Sequence, residues 1–296
     1  MVKTNADAVV IGAGLSGLKA ADVLLRAGRR VIVLEARSRI GGRVMGGALD
    51  GHVIDHGAQW VSPRHGRLLG EARRFGLETV LQHADGRNIL SLNGRRGEFV
   101  GDVANLPALA LVELAMLRRR WEKEARTLPA DAPWTARHAK EWDSQTLETW
   151  IQKNLSTASS RSFARLVPAV YGARAPEVSY LWMVEMLRST EGPEQAMTVK
   201  AGVMDARFKG GAQTLAQHLA DALGESLVLS APVSAIMQDG SGIVAKSGAG
   251  EFAAAHAIVA VPPSLCQPIA LDGISPHRRA LQQRMPQTAE IGRAHV

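Results

Sequence analysis

A glycine-rich turn near the amino terminus has the residue types and spacing that can hold the phosphates of a nucleotide. Gly12, Gly14 and Gly17 form the pattern GxGxxG, which also contains Ser16. The first glycine permits a tight turn, the second lets the backbone approach a pyrophosphate, and the third lets a helix pack closely on a strand. The pattern therefore predicts dinucleotide binding.

The sequence on either side of the turn predicts the elements that must position it. Residues 8–11 and 31–34 are short apolar runs, so we expect two buried parallel strands. Leucines recur at helical spacing between them, and Gly28 is expected to end that helix. The start of the helix would then direct unpaired N–H groups and a positive dipole end at the phosphates.

An acid closes the second predicted strand and indicates which dinucleotide binds. Glu35 lies 18 residues beyond Gly17. A carboxylate at this position accepts hydrogen bonds from a ribose 2′-hydroxyl and repels a 2′-phosphate. We therefore expect an adenine dinucleotide that carries no 2′-phosphate.

A second glycine pair follows this acid. Arg37 and Arg43 flank Gly41 and Gly42. Such glycines bring backbone close to a flat ligand, and guanidinium groups pair with phosphate oxygens. The arrangement resembles the extended signature of FAD-binding oxidoreductases of the amine oxidase superfamily. The resemblance implies that FAD is the cofactor and that its contacts include Ala36, Arg37, Gly42 and Arg43.

Two further segments resemble cofactor-binding parts of the same superfamily. Residues 55–61, DHGAQWV, are similar to the segment that passes the flavin ring. The resemblance implies that adenine is held by main-chain groups of Val233. It also implies that the residues beside the flavin are Gly57, Ala58, Gln59 and Trp60. Around Val233 we expect a helix at residues 212–223 and three short strands at 227–229, 233–236 and 257–261.

The middle of the chain, from about residue 86 to 205, shows helical spacing and little strand alternation. We expect a helix over 106–123 and another that begins behind the cap candidates Asp143 and Ser144. Apolar stripes over 163–170 and 180–187 predict two more helices.

Short patterns in this helical region resemble the flavin-containing monoamine oxidases in particular. They are the sequence DAPW at 131–134, the sequence EWD at 141–143 followed by Thr146 and Leu147, and the run from Pro176 to Trp182. The resemblance implies a substrate cavity lined by Ala169, Val170, Met197 and Met204. These residues differ from those usual in the family, so no particular amine is inferred.

The fold class that follows is α/β: a Rossmann-like, doubly wound and discontinuous FAD-binding domain with a mainly helical substrate domain inserted. We expect the first cofactor segment at 1–85 and the helical substrate domain at 86–205. The second cofactor segment would occupy 206–268, and a second substrate-domain segment would begin at 269–290.

Composition excludes several other classes of protein. The net charge is +7, but the arginines are scattered and only 4% of residues are aromatic, which argues against a nucleic-acid partner. The single cysteine, Cys266, excludes an internal disulfide and favours a cytoplasmic location. No apolar run is long enough for a membrane segment, and the histidines lack metal-ligand spacing. Ser16 has no GxSxG context, so hydrolase chemistry has no support.

The last residues of the sequence differ in character from the rest. The end, EIGRAHV, is similar to the translation of a common sequencing adapter, so we interpret 291–296 as an adapter-derived tail. Members of the family are longer, and the resemblance implies that a lysine near flavin N5 and an aromatic pair lie beyond this point. We expect a chain of this length to be poorly soluble and to hold FAD weakly.

The expected function is FAD-dependent oxidative deamination of amines by O2, to aldehyde, ammonia and hydrogen peroxide. No side chain is assigned a catalytic role, because the cofactor supplies the chemistry. Three alternatives stay open: an FAD oxidase of amino acids or polyamines, a desaturase-type enzyme, and a non-catalytic dinucleotide-binding module. The oligomeric state, including a homodimer, is open as well.

Overall fold

The computed structural model describes residues 2–101, 105–192, 195 and 198–285. The described residues divide into two compact units. The first unit contains residues 2–59, 65–80 and 207–285, and the second contains residues 60–64 and 81–206. The adapter-like tail and Met197 lie outside the described residues.

The strands are β1 Val2–Ile11, β2 Val31–Leu34, β3 Gly46–Leu49, β4 His52–Asp55, β5 Trp60–Val61, β6 Thr79–Leu81, β7 Asn88–Leu92, β8 Arg95–Phe99, β9 Ala206–Phe208, β10 Leu227–Val228, β11 Val233–Asp239, β12 Gly242–Ser247, β13 Gly250–Val259 and β14 Ala270–Leu271. The α-helices are α1 Leu15–Arg26, α2 Gly66–Arg74, α3 Ala108–Ala125, α4 Ala139–Asp143, α5 Leu147–Asn154, α6 Ala158–Ala169, α7 Tyr180–Ser189, α8 Gln213–Asp221 and α9 Pro276–Gln283.

A seven-stranded sheet organises the first unit, in the order β10, β2, β1, β13, β12, β11, β14. β1 pairs in parallel with β2 and with β13, whereas β12 is antiparallel to both of its neighbours. Val9 and Val10 of β1 are fully buried, as expected for a central strand covered on both faces. The predicted Rossmann-like α/β fold is confirmed, and the sheet is mixed because the hairpins β11–β12 and β12–β13 extend its parallel part.

Several boundaries in the first unit differ from the sequence-based expectation. The strand expected at 257–261 begins seven residues earlier, at Gly250. Its alanine-rich first half has weak strand propensity, and pairing with β1 on one side and β12 on the other overrides that propensity. The segment 269–290, expected in the substrate domain, instead contributes β14, which pairs in parallel with β11.

Helices packed around aromatic side chains form most of the second unit. Tyr180 is fully buried and stacks on Trp150, with 4.3 Å between the ring centroids. Trp142 meets Tyr180 edge-on, and Trp121 packs against Trp150. The predicted helices are present, but α5 is capped by Thr146, whose hydroxyl accepts from Thr149 N–H. Asp143 and Ser144 were the wrong caps, because they belong to the end of α4.

The second unit also contains a β-hairpin that helical periodicity does not reveal. β7 and β8 are antiparallel and joined by Asn93 and Gly94. Both turn residues have positive φ, 51° and 74°, which is the backbone that a two-residue Asn-Gly hairpin turn requires. The expectation of little strand structure over 86–205 was therefore wrong at this point.

No helix among the described residues has both the length and the apolar character that a membrane span needs. Within the same residues, no cluster of histidine, cysteine and acidic side chains could hold a metal ion.

Candidate functional site

The turn after β1 is held by two glycines that the fold itself requires. Gly12 has φ of 103°, and a Cβ there would lie 2.9 Å from Val261 Cγ1. A Cβ on Gly17 would lie only 1.9 Å from the carbonyl oxygen of Gly12. Any side chain at either position would therefore force backbone or a packed neighbour to move.

Gly14, between them, is a glycine that the protein's own packing does not require. Its backbone is extended, with φ of −73° and ψ of 171°, which every residue type can adopt. A Cβ there would meet no atom within 4 Å. Gly14 is the cap residue of α1, and no side chain among the described residues caps the start of that helix. Together with Ser16, which is exposed in the first turn of α1, it borders an open space that suits an anion.

Glu35 is fixed beside this open space. Its side chain is buried, with only 6% of its surface exposed. One carboxylate oxygen accepts from Ala13 N–H at 2.8 Å, and the other accepts from Arg37 N–H at 3.0 Å. Each oxygen keeps a further lone pair, so the carboxylate can still accept from a ribose hydroxyl. Sequence spacing placed the acid at the end of β2 but did not reveal its bond to Ala13.

The second glycine loop, residues 36–45, lies directly against the first turn. Gly41 N–H donates to Ala13 O at 2.8 Å. Gly42 has φ of 56°, and a Cβ there would approach Gly14 Cα to 3.3 Å. Ala36 is exposed in the same loop.

Two arginines of this loop are free to bind an anion, and a third is not. Arg37 and Arg43 are exposed, and their guanidinium groups bond to no other described residue. Arg39 instead stabilises the loop, since its Nη1 donates to the carbonyls of Ile40 at 3.3 Å and Gly42 at 3.1 Å. The sequence did not distinguish these roles.

The segment 56–58 is bonded to the end of the same loop. His56 and Gly57 donate their N–H groups to Met45 O, and Ala58 N–H donates to Arg43 O at 2.9 Å. A Cβ on Gly57 would lie 2.1 Å from Arg43 O, so this close approach requires glycine. Ala58 is exposed and Gln59 is half-buried, at the end of this stretch. Trp60 is a half-buried residue of the second unit.

Val233 is brought close to the loop that follows Glu35. Ala231 N–H donates to Glu35 O at 2.8 Å, and Ser230 N–H donates to Arg37 O at 2.9 Å. Val233 is half-buried and begins β11 just beyond these bonds. The pairing of β11 with β12 shifts register between Val233 and Ala235.

The residues predicted to line a substrate cavity are not brought together by the described contacts. Ala169, the last residue of α6, and Val170 are exposed, and Met204 is half-buried. A cavity of about 390 Å³ in the second unit has other lining residues, from α3, the end of α7 and Gln195. A substrate-cavity role for Ala169, Val170 and Met204 stays a prediction from the resemblance.

A buried ionic network supports α1, the helix that starts at the glycine turn. Asp22 is 3% exposed and accepts from both Nη1 of Arg74, at 2.8 Å, and Nη2, at 2.7 Å. Lys19 donates to the same carboxylate at 3.0 Å. These cations hold the pKa of Asp22 well below its usual value of 3.8, with the Arg74 hydrogen bonds as the main cause. The network ties α1 to α2, and no sequence pattern had indicated it.

One known protein family matches nearly the whole chain. Residues 15–292 match the family described as flavin containing amine oxidoreductase. The chain belongs to this family. The resemblance drawn from the glycine loops and the helical region is therefore confirmed, and a flavin is the cofactor that membership implies.

Individual family members match over nearly the whole chain. AofH of Mycobacterium tuberculosis, whose name assigns it to the flavin-containing monoamine oxidases, is 35% identical over 95% of this chain and 62% of its own. Flavin-containing amine oxidase A of Equus caballus is 33% identical over 96% of this chain and 55% of its own. Wild-type putrescine oxidase bound to putrescine superposes with a TM-score of 0.88 at 28% identity, covering 95% of this chain and 63% of that one. The chain thus spans less than two thirds of the length of these relatives.

Proposed function

We propose that the whole protein is an FAD-dependent amine oxidase that uses the site around Gly14 and Glu35 for the AMP half of the cofactor. The Glu35 carboxylate would accept from the ribose, and the free N–H groups at the start of α1 would bind the pyrophosphate. Main-chain groups of Val233 would hold adenine, as the family resemblance implies. Arg37 and Arg43, whose guanidinium groups have no described partner, would pair with phosphate oxygens.

The open space at Gly14 is the observation that carries this proposal. Gly12 and Gly17 are explained by backbone strain and close packing, but Gly14 is explained by neither. A side chain there would project into the space that a pyrophosphate needs, at the start of α1 and next to Glu35. The residues present therefore fit a dinucleotide that carries no 2′-phosphate.

The flavin end of the cofactor would lie along the second loop and the segment 56–58. Gly42 and Gly57 let these two stretches approach their neighbours closely, and Ala58 presents a small exposed residue. Gln59 and Trp60 remain predicted contacts from the resemblance. Ser16 and Ala36 remain predicted contacts on the AMP side.

Bound FAD would supply the redox chemistry, in which an amine with an α-hydrogen, O2 and water give aldehyde, ammonia and hydrogen peroxide. This chain's residues bind and orient the cofactor, and none is assigned a proton-transfer role. An apolar, water-poor site would favour the neutral, reactive amine over the ammonium ion. A cytoplasmic location and a homodimer remain predictions from the sequence.

The family of the relatives supports a small amine as the substrate, and their names point to different amines. A second candidate is oxidation of diamines, because a putrescine-bound oxidase shares this fold closely. A diamine carries a second charge, which a carboxylate in the substrate site would need to anchor. Turnover of putrescine compared with benzylamine separates the two candidates.

The test measures cofactor and activity in the same purified whole protein. We expect FAD by mass, its visible absorption, and equimolar peroxide and ammonia from at least one amine of a panel. Glu35→Ala should weaken FAD binding by about tenfold or more, since a charged hydrogen-bond acceptor is lost. The exposed Glu225→Ala in the same unit is the control and should bind FAD normally. Absence of FAD, or bound FAD without peroxide from any amine, would contradict the proposal.

A further inference from the structure

Two segments, residues 41–46 and 56–58, are proposed to face the flavin. Two side chains attach them to the start of α8. Asp55 Oδ1 accepts from Ala212 N–H at 2.8 Å, across 157 residues of sequence. Gln213 Oε1 accepts from Gly46 N–H at 2.6 Å, across 167 residues. Gly46 and Asp55 face each other in the β3–β4 hairpin. Both strands of the hairpin are therefore attached to consecutive residues of one helix start.

The residue at the start of α8 has no side chain that can cap the helix. Ala212 occupies the cap position, and no hydrogen bond from its side chain satisfies the helix. Helix starts leave N–H groups unpaired and favour a carboxylate near them. Asp55 supplies that carboxylate from a distant strand. Gly211, with φ of 82°, permits this approach, since a Cβ there would lie 3.1 Å from Asp55 Oδ1 and 3.0 Å from Val53 Cγ1.

The hairpin that α8 holds carries both flavin-facing segments. β3 directly follows Arg43 to Met45, and β4 directly precedes residues 56–58, which bond to Arg43 and Met45. A Cβ on Gly41 would also lie 3.6 Å from Ala216 Cβ of α8. α8 therefore meets this part of the site at three positions, near residues 41, 46 and 55.

We infer that Asp55 and Gln213 are positioning residues that fix segments 41–46 and 56–58 for the flavin without contacting it themselves. The inference rests on the proposed function, because the role of those segments toward flavin is part of that proposal. If Asp55 instead acted on the cofactor through its charge, the isosteric amide would be as harmful as its removal. If it acts only as an acceptor, the amide oxygen of Asn replaces it.

Amide hydrogen exchange of the whole protein without flavin tests the attachment. In Asp55→Ala and Gln213→Ala, we expect the amides of Ala212 and Gly46, respectively, to exchange about tenfold faster or more, with 56–58 also faster. Asp55→Asn should stay within about threefold of wild type. Gln217→Ala, which removes an exposed side-chain bond to Asp221 on the same helix, is the matched control and should change neither segment.

The β13 amides report on the rest of the fold and should keep wild-type rates in every variant. If Asp55→Ala unfolds the protein, the β13 amides lose protection as well. In that case Gln213→Ala and Asp55→Asn decide whether the two side chains fix the segments. Unchanged exchange at Gly46 in Gln213→Ala, or equal damage from Asp55→Asn and Asp55→Ala, would overturn the inference.

FAD titration of the same variants links the attachment to the ligand. We expect the dissociation constant to rise about tenfold in the two alanine variants and to stay at the wild-type value in Asp55→Asn and Gln217→Ala. If wild type binds no FAD, the proposed function fails while the exchange result still decides the attachment. If exchange accelerates and FAD binding is unchanged, the residues are structural and the positioning role is wrong.

Discussion

The glycine turn of the first unit and the aromatic core of the second unit are stabilised in opposite ways. At Gly17, two backbone segments approach so closely that one added carbon would lie 1.9 Å from a carbonyl oxygen. Around Tyr180, large rings fill the space between helices, and its hydroxyl donates to Glu124 at the rim of the core. Gly17 should therefore tolerate no added side chain, whereas the aromatic core should tolerate loss of a single polar atom.

The largest effect is expected from Gly17→Ala. The added Cβ cannot fit without moving α1 away from β1, so we expect the free energy of unfolding to fall by about 4 kcal/mol, despite the helix propensity of alanine. Urea denaturation measures the change. Gly70→Ala is the control in α2, because a Cβ there would meet no atom within 4 Å, and it should be neutral or stabilising. A Gly17→Ala protein of wild-type stability would contradict the proposed difference between the two regions.

The next effect is expected from Asp22→Asn, which removes a buried charge from α1, the helix that follows the same turn. Loss of charge-assisted bonds to Arg74 and Lys19 should cost about 2 kcal/mol at pH 7. Because the folded-state pKa of Asp22 is lowered, its stabilisation is present above the unfolded value near 3.8 and is lost as pH falls below it. The stability gap between wild type and Asp22→Asn should therefore narrow from pH 7 to pH 3.

Denaturation curves at both pH values provide this measurement, with the exposed Asp221→Asn as control. A gap that is equal at pH 7 and pH 3 would mean that the charge of Asp22 does not stabilise α1.

The smallest effect is expected from Tyr180→Phe in the second unit. Ring stacking on Trp150 is retained, and only the hydroxyl bond to Glu124 is lost, at a cost of about 1 kcal/mol. Glu124 keeps its ion pair with Arg120, so the carboxylate is not left unpaired. Burial beside Glu124 raises the pKa of Tyr180, so the hydroxyl stays protonated and this cost should not vary between pH 6 and 9.

Thermal unfolding of Tyr180→Phe gives the cost, and Tyr180→Ala shows what removal of the ring adds. If Tyr180→Phe were as damaging as Gly17→Ala, the proposed contrast between the two regions would be wrong.

The sequence predicted local features of the site better than long-range ones. GxGxxG, the strand at 31–34 and Glu35 are close in sequence, and their roles follow from spacing. Asp55 and Gln213 could not be found in this way, because each bonds to a residue more than 150 positions away. Their only signal was the absence of a capping side chain at Ala212.

In the second unit, the sequence also failed to predict some features formed by residues that are close together in the chain. Helical periodicity identified α3 and α5 to α7, yet it assigned the cap of α5 to Asp143 and Ser144, because those residues also have capping side chains. Thr146 is the cap because α4 occupies the preceding residues. The Asn93–Gly94 pair is a hairpin signal of a kind that helical periodicity does not detect.

FAD binding to Gly14→Ala, measured together with its stability, tests the central claim most directly. The added Cβ meets no protein atom within 4 Å, and alanine is only a poorer helix cap than glycine, so the free energy of unfolding without flavin should fall by no more than about 1 kcal/mol. The same carbon would enter the space proposed for the pyrophosphate, so FAD affinity should fall by about tenfold or more. A stable Gly14→Ala protein that binds FAD as tightly as wild type would contradict the account.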